Sequence, residues 1–379
     1  MADPRRSPRP AKRPADLTIA RYPYATALNP YQGLLYQALA DEGVALAPDR
    51  PFTARALVRM QPRVGVLHFN WRLDRLHGSS PARWRIALAR LRLRFADLLG
   101  YRIAWTIHEL ASRDGTVQRE PMEAALSQIA AVFFCHDPDL ADRAALELGI
   151  DRSRIDVVPH GPLAVAYPPA RITRERTRER LGIAAGETVF LAFGVLREYK
   201  QLDLLLSAFS RVRASGVRLV IAGDPVSAPV IRALQVAAAA DRRVVLLDRR
   251  IPEVEIRELF AASDVFVSAR CDGWTSGSLV LALNLGLPAI VAACPAYVRL
   301  LAGGRAGWSF DPIGGEEALA TRLDEVVGMS EAALREAGVV AADSSFEMSW
   351  DDTAMRLARR FRGSDEPRRL ALDPDVIDA

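Results

Sequence analysis

Arg197 and Lys200 stand three residues apart in the run GVLREYK (194–200), and Ser276-Gly277-Ser278 opens an apolar stretch from Leu279 to Leu285. Two cations on one loop and a helix start built of small hydroxyl residues and glycine suit a phosphate or diphosphate. The cations match its charge, and free N–H groups at a helix N-terminus point at its oxygens. Asp272 and Thr275 precede the triplet in the same polar loop. A solvated charged turn and an ordinary capped strand-to-helix turn are the competing readings of these residues.

The histidines are the second group with chemistry. Four of the five, His68, His108, His136 and His160, come at or just after the ends of short β-branched or aromatic runs. In an open parallel sheet the carboxyl ends of the strands line the ligand crevice. Asn70 and Glu109 sit beside two of these histidines, while Asn29 and Tyr31 follow the first strand, so all are candidates for contacts to a substrate in that crevice. No histidine pair has i, i+4 or similar ligand spacing, so no metal site is expected.

The elements that would position these residues repeat one pattern. Strands are predicted over 17–20, 64–69, 103–107, 130–135 and 155–158, with helices over 31–39 and 81–99. After the Pro-rich joint 167–169 the pattern restarts. Strands over 188–193, 218–222, 244–247, 265–267 and 289–291 alternate with helices over 202–213, 230–240, 252–262 and 279–285. The first strand-to-helix turn lacks the G-x-G-x-x-G of a dinucleotide fold. The expected architecture is α/β, with two doubly wound, Rossmann-like domains facing each other across a cleft. The first spans 16–165 and the second 166–345.

The chain of 379 residues is half hydrophobic and a quarter charged, a globular composition with ample core. Its net charge of +4 resides in the first fifteen residues, where Arg5, Arg6, Arg9, Lys12 and Arg13 oppose Asp3 alone. That Pro/Arg-rich tail is expected to be disordered, as is an acidic tail over 364–379. With the remainder neutral and no module pattern present, no nucleic acid is expected as partner. Three cysteines without ligand spacing read as reduced thiols of a cytoplasmic protein. There is no apolar secretory segment or run long enough to span a bilayer.

Several stretches together resemble the nucleotide-sugar glycosyltransferases of the GT-B fold, specifically the large family-four group. They are FGVLREYKQLDLLLSAF (193–209), LVIAGD (219–224), IPEVEIRELFAASDVFVSA (251–269) and SGSLVLALNLGLPAIV (276–291). WTIHEL (105–110) and VVPHG (157–161) look like the family's first-domain strand ends, and FEMSWDDTAMRLARRF (346–361) like its closing helix. The resemblance implies GT-B architecture, with acceptor bound by the first domain through Asn29, Tyr31, His68, Asn70, His136 and His160, donor bound by the second, and helix 346–363 crossing back to the first domain. It also implies transfer of a sugar from a nucleotide diphosphate sugar to an acceptor hydroxyl of a glycan, glycolipid or natural product, with no obligatory metal or cofactor. Arg197, Lys200 and the Ser276–Ser278 backbone match the diphosphate contacts, and His108 a histidine beside the donor sugar. One departure is clear. The paired glutamates of the family's E-x7-E pattern fall on Gly273 and Leu281, with only Asp272 near enough to replace the first. If the reaction inverts, a general base is required, and His108, Glu109 and Asp114 are the candidates. The missing carboxylates keep two alternatives open: a non-catalytic nucleotide-sugar-binding protein, or a nucleotide-sugar epimerase on the same scaffold.

The stretch 81–99 interleaves Arg83, Arg85, Arg90, Arg92 and Arg94 with apolar residues. It reads either as a covering helix whose arginines face water or as a peripheral contact with the anionic inner face of a membrane.

Overall fold

The computed structural model describes residues 15–23, 29–71, 83–110, 121–345 and 348–363. Residues 1–14 of the predicted basic tail, the predicted acidic tail and Asp114 lie outside these residues. The chain divides into two compact units, one formed by 1–161 with 349–379 and the other by 162–348.

Unit 1 runs β1 (Leu17–Tyr22), α1 (Tyr31–Asp41), β2 (Val44–Leu46), α2 (Ala54–Met60), β3 (Val66–Asn70), α3 (Arg83–Leu98), β4 (Arg102–Thr106), α4 (Pro121–Ile129), β5 (Val132–Cys135), α5 (Pro138–Leu148) and β6 (Ile155–Val157). Its six strands are all parallel, in the order β2-β1-β3-β4-β5-β6. The order reverses between β1 and β3, so the carboxyl ends of these two strands flank the position where open sheets of this kind bind ligands. Burial on both faces explains the continuous apolar runs: Val132 to Cys135 is fully buried.

Unit 2 runs α6 (Arg174–Arg180), β7 (Thr188–Phe193), α7 (Leu202–Arg211), β8 (Val217–Ala222), α8 (Ala228–Ala240), β9 (Val244–Leu247), α9 (Glu253–Ala262), β10 (Val265–Ser268), α10 (Gly277–Asn284), β11 (Ala289–Ala292), α11 (Pro295–Leu300), β12 (Gly307–Phe310), α12 (Gly315–Val327) and α13 (Glu331–Ser345). The strand order is β12-β11-β10-β7-β8-β9, again all parallel. Here the reversal lies between β7 and β10. The loops that follow them carry Arg197 and Lys200 on one side and Asp272 to Ser278 on the other. The core beneath includes Phe190, Leu205, Phe209, Leu219, Val265 and Ile290.

The last helix, α14 (Trp350–Phe361), belongs to unit 1. Ser349 caps it by accepting from the Asp352 amide, and Asp351 and Asp352 in its first turn complement the helix dipole. Trp350, Ala354, Leu357, Ala358 and Phe361 form its buried stripe. Thr353 donates to the Pro159 carbonyl at 2.6 Å, and Arg360 pairs with Asp156 at 2.6 Å. Gly161 is required by this packing, because a Cβ there would lie 2.0 Å from Cδ2 of Trp350.

Candidate functional site

In unit 2 the two loops at the sheet reversal are bonded to each other. Lys200 ends a 3-10 turn, Glu198–Lys200, and turns its ammonium inward to donate to the Phe193 carbonyl at 2.9 Å and to Ser278 Oγ at 3.2 Å. Gly194 makes room for this. Its φ is +116°, and a Cβ would lie 2.8 Å from Ser278 Oγ and 3.1 Å from Lys200 Nζ. Burial, and secondarily the charge of Arg270, pushes the Lys200 ammonium down to a pKa of about 7. Arg197 remains exposed on the same loop.

Ser276 caps α10, its hydroxyl accepting from the Leu279 amide at 3.4 Å, so the helix begins at Gly277 with Ser278 in its first turn. Thr275 Oγ1 is buried and has no hydrogen-bond partner among the described residues. An unsatisfied hydroxyl beside a helix start and a buried ammonium is a feature a bound polar ligand would complete.

Arg270 organises the loop between β10 and α10, a role its sequence context does not signal. It is 6% exposed, with Nε 2.5 Å from Asp272 Oδ1, Nη1 donating to the Thr275 carbonyl at 3.1 Å, and its guanidinium 4.9 Å from the Tyr199 ring centre. Asp272 Oδ1 also accepts from the Trp274 amide at 3.0 Å and the Tyr297 hydroxyl at 3.3 Å. That oxygen therefore has a structural task in shaping the loop. Of the two positions where the family pattern has glutamates, Gly273 adopts φ +73° in the turn and Leu281 is a core residue, 2% exposed.

In unit 1 the expected acceptor residues separate into two groups. His108, His136 and His160 gather around Tyr31 at the start of α1, with ring centres 4.6, 5.4 and 5.1 Å from the tyrosine ring. Asn29 fixes the helix entry by accepting from the Tyr31 amide at 3.0 Å. His136 Nδ1 is 3.1 Å from the Val158 carbonyl, which can only accept, so Nδ1 carries the proton. Its Nε2 then accepts from the Tyr31 hydroxyl at 2.9 Å. His160 Nδ1 likewise donates to the Gly161 carbonyl at 2.7 Å. Burial first, then the neighbouring His160, lowers the His136 pKa to about 3, and burial lowers that of His160 to about 4, so both are neutral at pH 7. His108 is 4% exposed and stacked on Trp71 with ring centres 4.5 Å apart, and Glu109 next to it is half-buried.

His68 and Asn70 are corrected by the structure. His68 lies within β3, as in the strand predicted over 64–69, and Asn70 is the last residue of β3 rather than beyond it, but both are 0% exposed. Tyr36 Oη is 2.9 Å from His68 Nδ1 and accepts from Asn70 Nδ2 at 2.8 Å, while His68 Nε2 is 2.8 Å from Thr106 Oγ1. They form an internal polar network between α1 and the sheet that pairs both His68 nitrogens and Asn70 Nδ2, while Asn70 Oδ1 is buried without a hydrogen-bond partner among the described residues.

Among the described residues no group of three or more His, Cys, Asp or Glu is placed to hold a metal ion, and no helix is long and apolar enough to cross a membrane.

The family profile of glycosyl transferases group 1 matches residues 187–328, which contain both loops of the unit 2 site. The chain is 27% identical over 291 residues to a GDP-mannose:glycolipid 4-beta-D-mannosyltransferase of Xanthomonas campestris pv. campestris, covering 74% of this chain and 75% of that one. Over residues 187–328 the chain thus resembles the glycosyl transferases group 1, and its two parallel six-stranded sheets have the GT-B fold. Its architecture matches that of Anabaena HepE, solved with UDP and glucose, at a TM-score of 0.68, 14% identity and coverage of 92% of this chain and 100% of that one. It matches sucrose-phosphate synthase from Thermosynechococcus elongatus at a TM-score of 0.69, 17% identity and coverage of 92% and 99%. At these identities the two solved structures establish the GT-B fold alone. That the matched proteins are transferases supports sugar transfer over the alternatives left by the missing glutamates.

Proposed function

We propose that this glycosyltransferase takes a hexose from a nucleoside diphosphate sugar held by unit 2 and delivers it to a lipid-linked acceptor, without an obligatory metal. The observation that carries the donor assignment is Lys200, an inward-facing ammonium 3.2 Å from Ser278 Oγ at the start of α10. The leaving group is a diphosphate. A fixed cation and helix-start amides stabilise the charge that develops on it, which is the work a metal would otherwise do. Arg197 adds a second cation from the exposed part of the same loop, and Thr275 and Ser276 contribute polar contacts beside it. In unit 1, His108 is assigned the proton transfer from the acceptor hydroxyl, with Glu109 beside it and with Tyr31, His136 and His160 shaping its surroundings. The donor base is uridine or guanosine, the two found among the similar proteins. Thermal shift of the full chain against UDP, GDP and their hexose conjugates tests the assignment. One base should raise the melting temperature, and the rise should shrink in Arg197→Ala. A chain that none of these ligands stabilises would overturn it.

The acceptor assignment rests on α3. Ala89, Leu93 and Ala96 are buried on one side, whereas Trp84, Leu91 and Leu98, spaced seven residues apart, are 63%, 63% and 66% exposed on another. Arg90 and Arg94 are exposed alongside that stripe, and the only acidic residue of the helix is Asp97. An apolar stripe flanked by arginines fits the interface of an anionic bilayer, and the similar Xanthomonas enzyme is named for a glycolipid substrate. Each arginine near such a surface contributes about 1 kcal/mol. Arg90→Gln/Arg94→Gln should therefore weaken co-sedimentation with phosphatidylglycerol vesicles by roughly 30-fold. Trp84→Ala should weaken it further. Undiminished sedimentation of the arginine variant would remove the membrane from this reading.

A further inference from the structure

Gln201 follows Lys200 directly and has φ +49° and ψ +47°, the left-handed region that side chains other than glycine seldom adopt. Its backbone has a clear local use. The residue caps α7, its N–H donating to the Glu198 carbonyl at 2.9 Å and its carbonyl accepting from Leu205 at 3.1 Å. Glycine would serve that backbone at least as well. The side chain has a different use, since Gln201 Oε1 accepts from the Cys271 amide at 3.0 Å, seventy positions along the chain. Cys271 lies beyond the end of β10, where no neighbouring strand supplies an acceptor, and it sits between Arg270 and Asp272. Two consecutive residues of the β7 loop thus reach across the sheet reversal. Lys200 bonds to Ser278 on the far side of the β10 loop, and Gln201 bonds to Cys271 at its near side.

We infer that Gln201 is a positioning residue for donor binding: its amide oxygen holds the Cys271–Ser276 loop at the spacing from Lys200 that a nucleoside diphosphate requires. Arg270 and Tyr297 shape the loop internally, while Gln201 sets its place relative to the ammonium. The inference rests on the assignment of unit 2 as the donor-binding unit.

Two variants of the full chain separate the tether from the backbone. Gln201→Gly removes the acceptor and relieves the left-handed conformation. Gln201→Met removes the acceptor at similar length and keeps that conformation. The measurements are calorimetric titration with UDP and GDP, thermal melting, and hydrogen exchange at the Cys271 amide. Both variants should bind the preferred diphosphate up to about tenfold more weakly, the loss expected for one hydrogen bond. In both, exchange at Cys271 should accelerate, while Gln201→Gly melts no lower than the unmodified chain. A purely structural role would make affinity follow melting temperature, with Gln201→Gly binding as the parent does, and that result overturns the inference. If the parent chain binds UDP or GDP and both variants bind equally well, the inference fails alone. If the parent binds neither, the donor assignment and the inference fail together.

Discussion

Lys200→Met is expected to lower kcat/KM for the nucleotide-sugar donor by about 10²- to 10³-fold, the range typical of losing one preorganised donor to a developing anion. The ammonium is held in advance by the Phe193 carbonyl and Ser278 Oγ, so it need not reorganise when the diphosphate departs. Its lowered pKa, about 7 from burial and then from Arg270, adds a pH signature. In the ligand-free chain the charged form is present below pH 7 and fades above it. The donor kcat/KM should therefore fall as pH rises through 7, and Lys200→Arg, which stays protonated, should lack that limb. Stability moves the other way. The folded-state pKa lies below the unfolded value of about 10.5, so burial of the charge destabilises the fold fully below pH 7. That cost is relieved progressively between pH 7 and 10.5. Lys200→Met should accordingly gain stability relative to the parent at pH 6, and the gap should narrow at pH 9. A methionine variant that retains parental kcat/KM would end the assignment of Lys200 to the diphosphate.

How far the sequence discloses this site depends on which physical signal each part leaves. The strand–loop–helix corner from Val265 to Val291 is legible because β-branched residues, a polar loop and a capping serine occur in the order a buried strand and a capped helix need. The same signals mark α5, with Asp137 as cap, Pro138 at its first turn and Gly149 in the left-handed region at its end. A reading centred on strands passes over it, as it passes over β2, whose three residues leave no pattern to detect. His68 and Asn70 are misplaced for a different reason. Position near a strand end does not say whether a polar side chain finds its partners inside, and Tyr36, which bonds to both, is more than thirty residues away. Arg270 and Gln201 are illegible for the same cause. A charged or amide residue in a loop ordinarily faces water, and only the approach of two loops distant in sequence turns these inward.

That approach is tightest at two glycines, and Gly223→Ala is the substitution expected to cost most in stability. Gly223 directly follows β8 and donates to the Leu247 carbonyl at 3.1 Å, while Gly194 directly follows β7 and donates to the Ala222 carbonyl at 3.0 Å. A Cβ on Gly223 would lie 1.6 Å from the carbonyl oxygen of Gly194 and 2.6 Å from its carbonyl carbon. These are backbone atoms in a paired ladder, so no side chain can rotate away. The strand ends must separate. Separation strains the Gly194 bond and the Leu196 bond to the Asp224 carbonyl at 2.9 Å, leaving polar groups unsatisfied at about 1–3 kcal/mol each. A loss of about 3 kcal/mol or more is expected, lowering the unit 2 transition by roughly 6–12 °C. The loop that moves begins at Gly194 and carries Lys200, so donor affinity should fall even at temperatures where the variant is fully folded. Gly216→Ala supplies the comparison. Gly216 has φ +74° between β7 and β8, but nothing lies within 4 Å of its added Cβ, so it should cost only the left-handed strain of about 1–2 kcal/mol and leave donor binding intact. Equal effects of the two substitutions on nucleotide affinity would mean that the close approach of β7 and β8 does not position Lys200.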